Sequence, residues 1–392
     1  MSELPDTQAE ALREAAGKEP LGLYLHVPFC RDKCSYCSFV STRDDASRTA
    51  VFARLAGELE DWGGRLGRPA VDTLYLGGGT PSLLTEGELA DLTEAVHRAF
   101  RTTGLLEATL EANPGTIAPG WLAAARRLGW DRISLGVQTL DDGLLRRLGR
   151  VHDARDGLAA LRQAREAGFE RVSADLLLGI PGQDFSRVPD DAAALVAAGA
   201  SHLSIYMLDL DKPCLLKAQV DRGELVLPSD DALADAFEAL QDVLPRHGLF
   251  PYEISNYAAP GEASRHNTRY WERRPYLGLG PSAASHLGRW RWTACDGIQA
   301  WLGGAGPAER QELDPSAELA EIPLLGLRML RGVDWQALRA KAEAEGLLGL
   351  VDQWETGLAP FFRHGLLARE GPVLRFTRKG LLLSNAVLEL FV

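Results

Sequence analysis

Apolar residues along this chain recur in short blocks rather than in one long stretch. Six runs read as strands, at 21–27, 71–76, 107–112, 132–137, 172–178 and 202–208. Between them apolar residues return every three or four positions, the period of an amphipathic helix, at 46–66, 86–101, 119–128, 154–167 and 190–198. A further helix, 230–247, follows the sixth run. Gly and Pro mark the joins, as at Pro69, Gly104, Gly168 and Gly199. Strands that alternate with helices of this length predict βα units around a parallel sheet. Six units fall short of a closed eight-fold barrel. The expected fold is therefore α/β, a partial parallel (βα)6 barrel, with a doubly wound sheet as the second choice.

The βα rhythm stops near residue 250. Residues 251–312 are rich in Tyr, Trp, His and Gly and predict an irregular connecting region packed on the barrel. Helical periodicity returns at 319–330, 335–345 and 351–364, followed by a short hairpin that ends in the apolar run 373–376 and by a last helix, 379–391. That order predicts a small C-terminal α+β domain of winged-helix type over 313–392. Residues 1–20 are polar and rich in Ala and Glu, lack the apolar stretch of a signal peptide, and read as a flexible N-terminal arm.

Composition narrows the functional classes. The chain has 392 residues, of which 46% are hydrophobic and 24% charged, as in ordinary soluble proteins. A net charge of −12 and the lack of a basic patch argue against nucleic acid as a partner, so a purely structural or DNA-binding role for the C-terminal domain is the weakest reading. No stretch approaches the ~20 apolar residues of a membrane span, and a cytoplasmic protein is expected. In that reducing setting five cysteines, three of them within eight residues, point to metal rather than to disulfides.

The three are Cys30, Cys34 and Cys37, a CxxxCxxC loop directly after the first strand. Soft thiolates at these spacings suit an iron–sulfur cluster or zinc. Structural zinc would want a fourth ligand, and no second CxxC pair exists. His26 is near, but its strand neighbours make it a core histidine. A three-cysteine 4Fe-4S cluster with one iron open is the expectation. Gly77-Gly78-Gly79-Thr80-Pro81 ends the second strand, where glycines let backbone approach a ligand closely. Glu111 closes the third strand, Gln138 the fourth, and Asp175 lies inside the apolar fifth, with Arg150 twelve residues past Gln138. A carboxylate inside a buried strand is costly unless paired or ligand-bound. All of these fall on the C-terminal rim, where barrels place their chemistry.

Together the cysteine loop, Gly77–Pro81, Glu111, Gly136-Val-Gln138, and Asp175 with Gly179-Ile-Pro181-Gly182 resemble the radical S-adenosylmethionine (SAM) enzymes. More narrowly they are similar to the family that holds oxygen-independent coproporphyrinogen III oxidase and the HemW-type heme chaperones. The resemblance implies that the open iron is chelated by SAM, which the cluster cleaves to methionine and a 5′-deoxyadenosyl radical. It also implies that Tyr24, Gly78 and Glu111 contact that SAM. Gly79, Thr80, Tyr36, Gln138, Arg150 and Asp175 would line the second SAM position described for the oxidase.

Two features choose between the branches. The oxidase pattern carries a fourth cysteine where this chain has Phe39, which puts decarboxylase activity in doubt. His266-Asn267-Thr268-Arg269-Tyr270-Trp271 fits HNxxYW, the pattern associated with heme in the chaperone branch. Histidine is a natural axial ligand, and Tyr and Trp can pack on a porphyrin face; the plainer reading is a buried loop whose histidine merely hydrogen-bonds. The branch implies heme, heme-acceptor apoproteins and a flavodoxin- or ferredoxin-like electron donor as partners. Peripheral contact with a membrane is compatible with it, since respiratory heme acceptors are membrane proteins. The rival reading is the oxidase itself, removing two propionate carboxyl groups from coproporphyrinogen III.

Overall fold

The structure, a computed structural model, describes residues 6–392. The six expected strands form, with bounds close to those read from the pattern: β1 Leu21–Val27, β2 Val71–Gly78, β3 Glu107–Ala112, β4 Arg132–Gln138, β5 Arg171–Leu178 and β6 His202–Met207. They pair in parallel in sequence order. Most of the helices cover the outer face, and the short α5 and α8 stand at the cysteine-loop rim: α1 Asp6–Lys18, α2 Arg48–Arg65, α3 Glu86–Ala99, α4 Trp121–Arg127, α5 Asp142–Leu148, α6 Ala154–Glu166, α7 Val188–Ala197, α8 Leu215–Asp221 and α9 Asp230–Val243. The short α5 and α8 were not expected.

Alternation along the strands explains the interior. Leu110, Ile133, Leu135, Val172, Ala174, Leu203 and Ile205 face the helices and are buried. Their neighbours one residue away, such as Thr109, Ser134, Ser173 and Ser204, are equally buried but polar, and line the concave face. A strand's period of two thus puts a hydrophobic core on one side of the sheet and a polar chamber on the other.

Two expectations need correction. The N-terminal arm is not loose from Asp6 onward: α1 packs against the sheet, with Leu12 and Ala16 each 2% exposed. Its apolar stripe is these two residues one turn apart, too thin to stand out in a polar segment. The connecting region is not irregular either. β7 Phe250–Pro251 and β8 Asn256–Ala258 extend the sheet beyond β6. Helix α10, Arg265–Trp271, leads to β9 Tyr276–Leu279, which pairs in parallel with β1, and then to β10 Ala284–Leu287, β11 Trp290–Thr293, α11 Ile298–Leu302 and β12 Glu309–Glu312. The result is one sheet in the order β12-β11-β10-β9-β1-β2-β3-β4-β5-β6-β8-β7. Strands of two to four residues carry no readable period; the open edges of the barrel recruit them.

The C-terminal part has its own core, including Leu319, Trp335, Val351, Trp354, Leu374 and Phe391. It is built from α12 Pro315–Gly326, β13 Val333–Asp334, α13 Trp335–Ala344, α14 Leu348–Arg363, β14 Leu367–Glu370 and β15 Val373–Phe376. The last expected helix is broken at Leu383 into α15 Arg378–Leu382 and α16 Ser384–Leu388. No helix among the described residues is long and apolar enough to cross a membrane.

Candidate functional site

The cysteine loop leaves β1 and is pinned on three sides. Cys30 N donates to Thr42 O (2.9 Å) and Thr42 N to Pro28 O (2.7 Å), closing the loop on itself. Ser35 N donates to Leu148 O at the end of α5, and Leu216 N in α8 donates to Ser35 O (2.7 Å). His26 is 4% exposed and directs Nε2 at Val40 O (2.9 Å), so it braces the far end of the loop as a core histidine. All three thiols are partly exposed and face the chamber. Burial pushes the Cys37 thiol above its ordinary value, while Thr80 Oγ1 lies 3.6 Å from Cys30 Sγ and Arg150 NH1 3.5 Å from Cys34 Sγ. Among the described residues no three such side chains close on a single metal ion. Thiolates on separate irons of a cube stand farther apart than thiolates sharing one tetrahedral zinc.

The glycine turn passes directly beneath this loop. Gly79 N donates to Val27 O and Thr80 N to Phe29 O (2.7 Å). A Cβ on Gly79 would lie 2.5 Å from Phe29 O. Gly78 holds φ +105°, and a Cβ there would meet the His26 ring at 2.7 Å. No other residue type fits either position without moving the cysteine loop.

The chamber encloses about 450 Å3. Glu111 spans its near wall: Oε1 accepts from Tyr75 OH (2.7 Å) and Oε2 from Gly78 N (3.1 Å). Burial raises its pKa to about 7, and Asp175 adds to the rise. Asp175 accepts from Ser134 Oγ (3.2 Å), and burial lifts it to about 6. Arg150 binds Gly136 O and Asn113 Oδ1, and Asn113 Nδ2 donates to Thr80 Oγ1 (2.9 Å). Gln138 adopts φ +71° at a register shift in β4, a left-handed conformation that costs on the order of 1–3 kcal/mol in a residue with a side chain. Cys30, Cys34, Cys37, Tyr36, Gly78, Gly79, Thr80, Glu111, Gln138, Arg150 and Asp175 all line this one space. Tyr24 does not. Its hydroxyl meets His26 Nδ1 (3.1 Å) and its ring packs on Tyr75.

The HNxxYW segment lies at the opposite end of the barrel from the cysteines. α10 plugs the floor, with its first backbone N–H groups, those of Arg265 and His266, capped by Glu107 (3.1 and 2.9 Å). His266 is 0% exposed, with Nδ1 against Thr73 Oγ1 (3.0 Å) and Nε2 against Tyr270 OH (2.8 Å). Burial and nearby Arg269 lower its pKa to about 3, so the ring is neutral. Arg269, also 0% exposed, pairs with Asp72. Trp271 lies under the Arg328 guanidinium. Asn267 alone of the motif reaches the chamber. In this arrangement the plainer expectation holds for His266: both ring nitrogens are occupied and no surface admits a macrocycle to it.

Comparison with known proteins decides the family. The model of the Radical SAM superfamily matches residues 24–195. The chain is 35% identical over 381 residues to the heme chaperone HemW of Mycobacterium tuberculosis (strain H37Rv), covering 95% of this chain and 94% of that one. It is 30% identical to HemW of Bacillus subtilis (strain 168), covering 94% and 98%. The chain belongs to the radical SAM superfamily, within the HemW family. Among solved structures, the coproporphyrinogen III oxidase HemN of Escherichia coli superposes with a TM-score of 0.84, covering 97% of this chain and 93% of that one. At 22% identity that likeness shows the fold.

Radical SAM membership carries a 4Fe-4S cluster and SAM as cofactors, and the residues present fit both. The donor set is three soft sulfurs without a fourth. Thr109 Oγ1 and Arg150 Nε are buried on the chamber wall without a partner, the state expected of groups awaiting a polar ligand. Several chamber residues escaped the sequence reading: Asn113, Thr109, Arg132, Ser134, Ser173 and His202. All but Asn113 occupy alternate positions of the strands in register with Glu111 or Asp175. Counting by two from those carboxylates would have found Thr109 and Ser173; Arg132, Ser134 and His202 needed the register between strands.

Proposed function

We propose that this chain is a radical SAM heme chaperone, which binds heme and passes it to acceptor apoproteins. The observation that carries the reading is the convergence of the three thiols, the glycine turn and two raised carboxylates on one chamber, in a chain related end to end to proteins named heme chaperones. Cys30, Cys34 and Cys37 would hold the cluster. Bound there with SAM, it supplies one-electron reduction of the sulfonium.

The chain's own residues prepare for a cationic ligand. Burial raises both Glu111 and Asp175, with Arg150 and Arg132 only partly offsetting it at Asp175, and a positive group beside them would favour the fully ionised carboxylates. The Gly77–Gly79 backbone can approach the methionyl end of SAM because no Cβ intervenes. Gln138, strained and buried, and Asp175 would bond ribose or adenine edges. The α10 floor closes the chamber away from bulk water.

Heme-acceptor apoproteins and a flavodoxin- or ferredoxin-like donor are the partners this reading requires, in a reducing cytoplasm where the five free cysteines persist. A paired assay on one anaerobically reconstituted sample tests it: hemin retention against conversion of coproporphyrinogen III. Heme retention without decarboxylation is expected. Decarboxylation without heme retention would establish the oxidase instead. Cys30→Ala should abolish the brown colour and the iron content.

A further inference from the structure

Asn113, on the chamber wall, connects two of the three loop cysteines. It follows β3, and its backbone is fixed by the turn beyond the strand. Its N donates to Ser82 Oγ (3.2 Å), while its O accepts from Thr116 N (3.1 Å) and Thr116 Oγ1 (2.8 Å). That anchoring aims the side chain between Thr80 and Arg150. Asn113 Nδ2 donates to Thr80 Oγ1 (2.9 Å), and Asn113 Oδ1 accepts from Arg150 NH2. Thr80 Oγ1 in turn lies 3.6 Å from Cys30 Sγ, and Arg150 NH1 3.5 Å from Cys34 Sγ. An unbroken chain of polar contacts thus runs from Cys30 through Thr80, Asn113 and Arg150 to Cys34.

Donor and acceptor chemistry fixes the polarity of this chain. A guanidinium only donates, so the amide oxygen of Asn113 faces Arg150 and the amide nitrogen faces Thr80. The nitrogen takes a lone pair of the Thr80 hydroxyl, whose single proton is left for Cys30 Sγ. Both ends of the chain therefore donate to sulfur. Arg150 NH2 is tied twice, to Asn113 Oδ1 and to Gly136 O, which leaves NH1 turned to Cys34. The backbone makes room for the pair. A Cβ on Gly136 would stand 2.8 Å from Asn113 Oδ1 and 3.1 Å from Arg150 NH2.

We propose that Asn113 is a positioning residue that holds the Thr80 hydroxyl and the Arg150 guanidinium as donors on the sulfurs of Cys30 and Cys34, and so raises the reduction potential of the cluster those cysteines carry. Donors on ligating sulfurs favour the reduced, more negative state. The proposal rests on the cluster assignment and is independent of where heme binds.

Potentiometry of the full, anaerobically reconstituted chain without SAM tests this, followed by the electron paramagnetic resonance signal of the reduced cluster and normalised to iron content. Thr80→Val removes one donor and keeps the shape. It should shift the reduced-to-oxidised ratio roughly tenfold toward oxidised at a fixed potential, a midpoint ~59 mV lower for a one-electron couple. Asn113→Leu, which frees both donors, should lower the midpoint at least as far. Thr80→Ser keeps the hydroxyl and should stay at the wild-type value. The double variant Thr80→Val/Asn113→Leu should fall short of the sum of the two shifts, because both act on the same donor. If Asn113→Leu takes up too little iron to be read, the Thr80 pair decides: Val and Ser variants with one common midpoint refute the proposal. If loaded Asn113→Leu and Thr80→Val both keep the wild-type midpoint, the chain is structural only and the cluster assignment survives. If the wild type gains no reducible cluster, both fall.

Discussion

Glu111→Gln should make the ligand-free protein more stable at pH 8 while removing its response to SAM. The wild-type carboxyl is held at about 7 against an ordinary 4.5, with burial as the main cause. A raised acid pKa means that the folded state binds the proton more tightly than the unfolded state. Stability is then fullest below pH 4.5 and falls as pH rises through 7, by about 3 kcal/mol in total. The amide removes that cost, but Gly78 N now meets a neutral oxygen and Tyr75 OH must turn to accept from the amide nitrogen, together costing roughly 1 kcal/mol. The net gain at pH 8 is about 2 kcal/mol, or about 4 °C in the melting temperature of the barrel. At pH 5 the wild-type carboxyl is largely protonated in the fold and the gain should shrink to little or nothing. Thermal melts of anaerobic apoprotein at pH 8 and pH 5, with and without SAM, read all of this. A variant less stable than wild type at pH 8, or a difference that does not depend on pH, would refute the argument. So would undiminished stabilisation of the variant by SAM.

The floor and the glycine turn give three further tests. Asp72→Ala leaves Arg269 buried without its counter-charge and should cost about 3–5 kcal/mol, measured by urea unfolding. His266→Ala opens a cavity beside Tyr75 and strips partners from Thr73 and Tyr270, costing about 3 kcal/mol; by melting temperature it should behave as a packing defect, and its refolded fraction should keep the wild-type heme spectrum. Gly79→Ala forces the Phe29 carbonyl and hence Cys30 to move. Its iron content after reconstitution should drop well below wild type while the far-ultraviolet circular dichroism stays unchanged.

Much of this protein is written locally. The six strands of the barrel follow from runs of apolar residues bounded by Gly and Pro, and their order in the sheet follows from the right-handed βα crossover. The cysteine loop and glycine turn are contiguous, so their spacing alone announces soft-metal chemistry beside an exposed backbone. The rim residues Glu111, Gln138 and Asp175 were readable because each is a polar group in or ending a strand whose other face is apolar.

Tertiary structure decided what no local pattern encodes. Edge strands of two to four residues form only because β1 and β6 leave open edges to be paired, and α1 is anchored by two side chains that mean nothing until α2 and β10 are in place. The HNxxYW residues carry the chemistry of a heme ligand in sequence, yet Thr73 and Glu107 enclose His266 from strands far away in the chain, and Tyr270, one turn on in the same helix, closes its other ring nitrogen. Thr80, Asn113 and Arg150 follow three different strands and form one chain of hydrogen bonds only when β2, β3 and β4 lie side by side. Residue type sets what a group can do; long-range packing sets whether solvent or ligand can reach it, because burial depends on neighbours that sequence proximity does not supply.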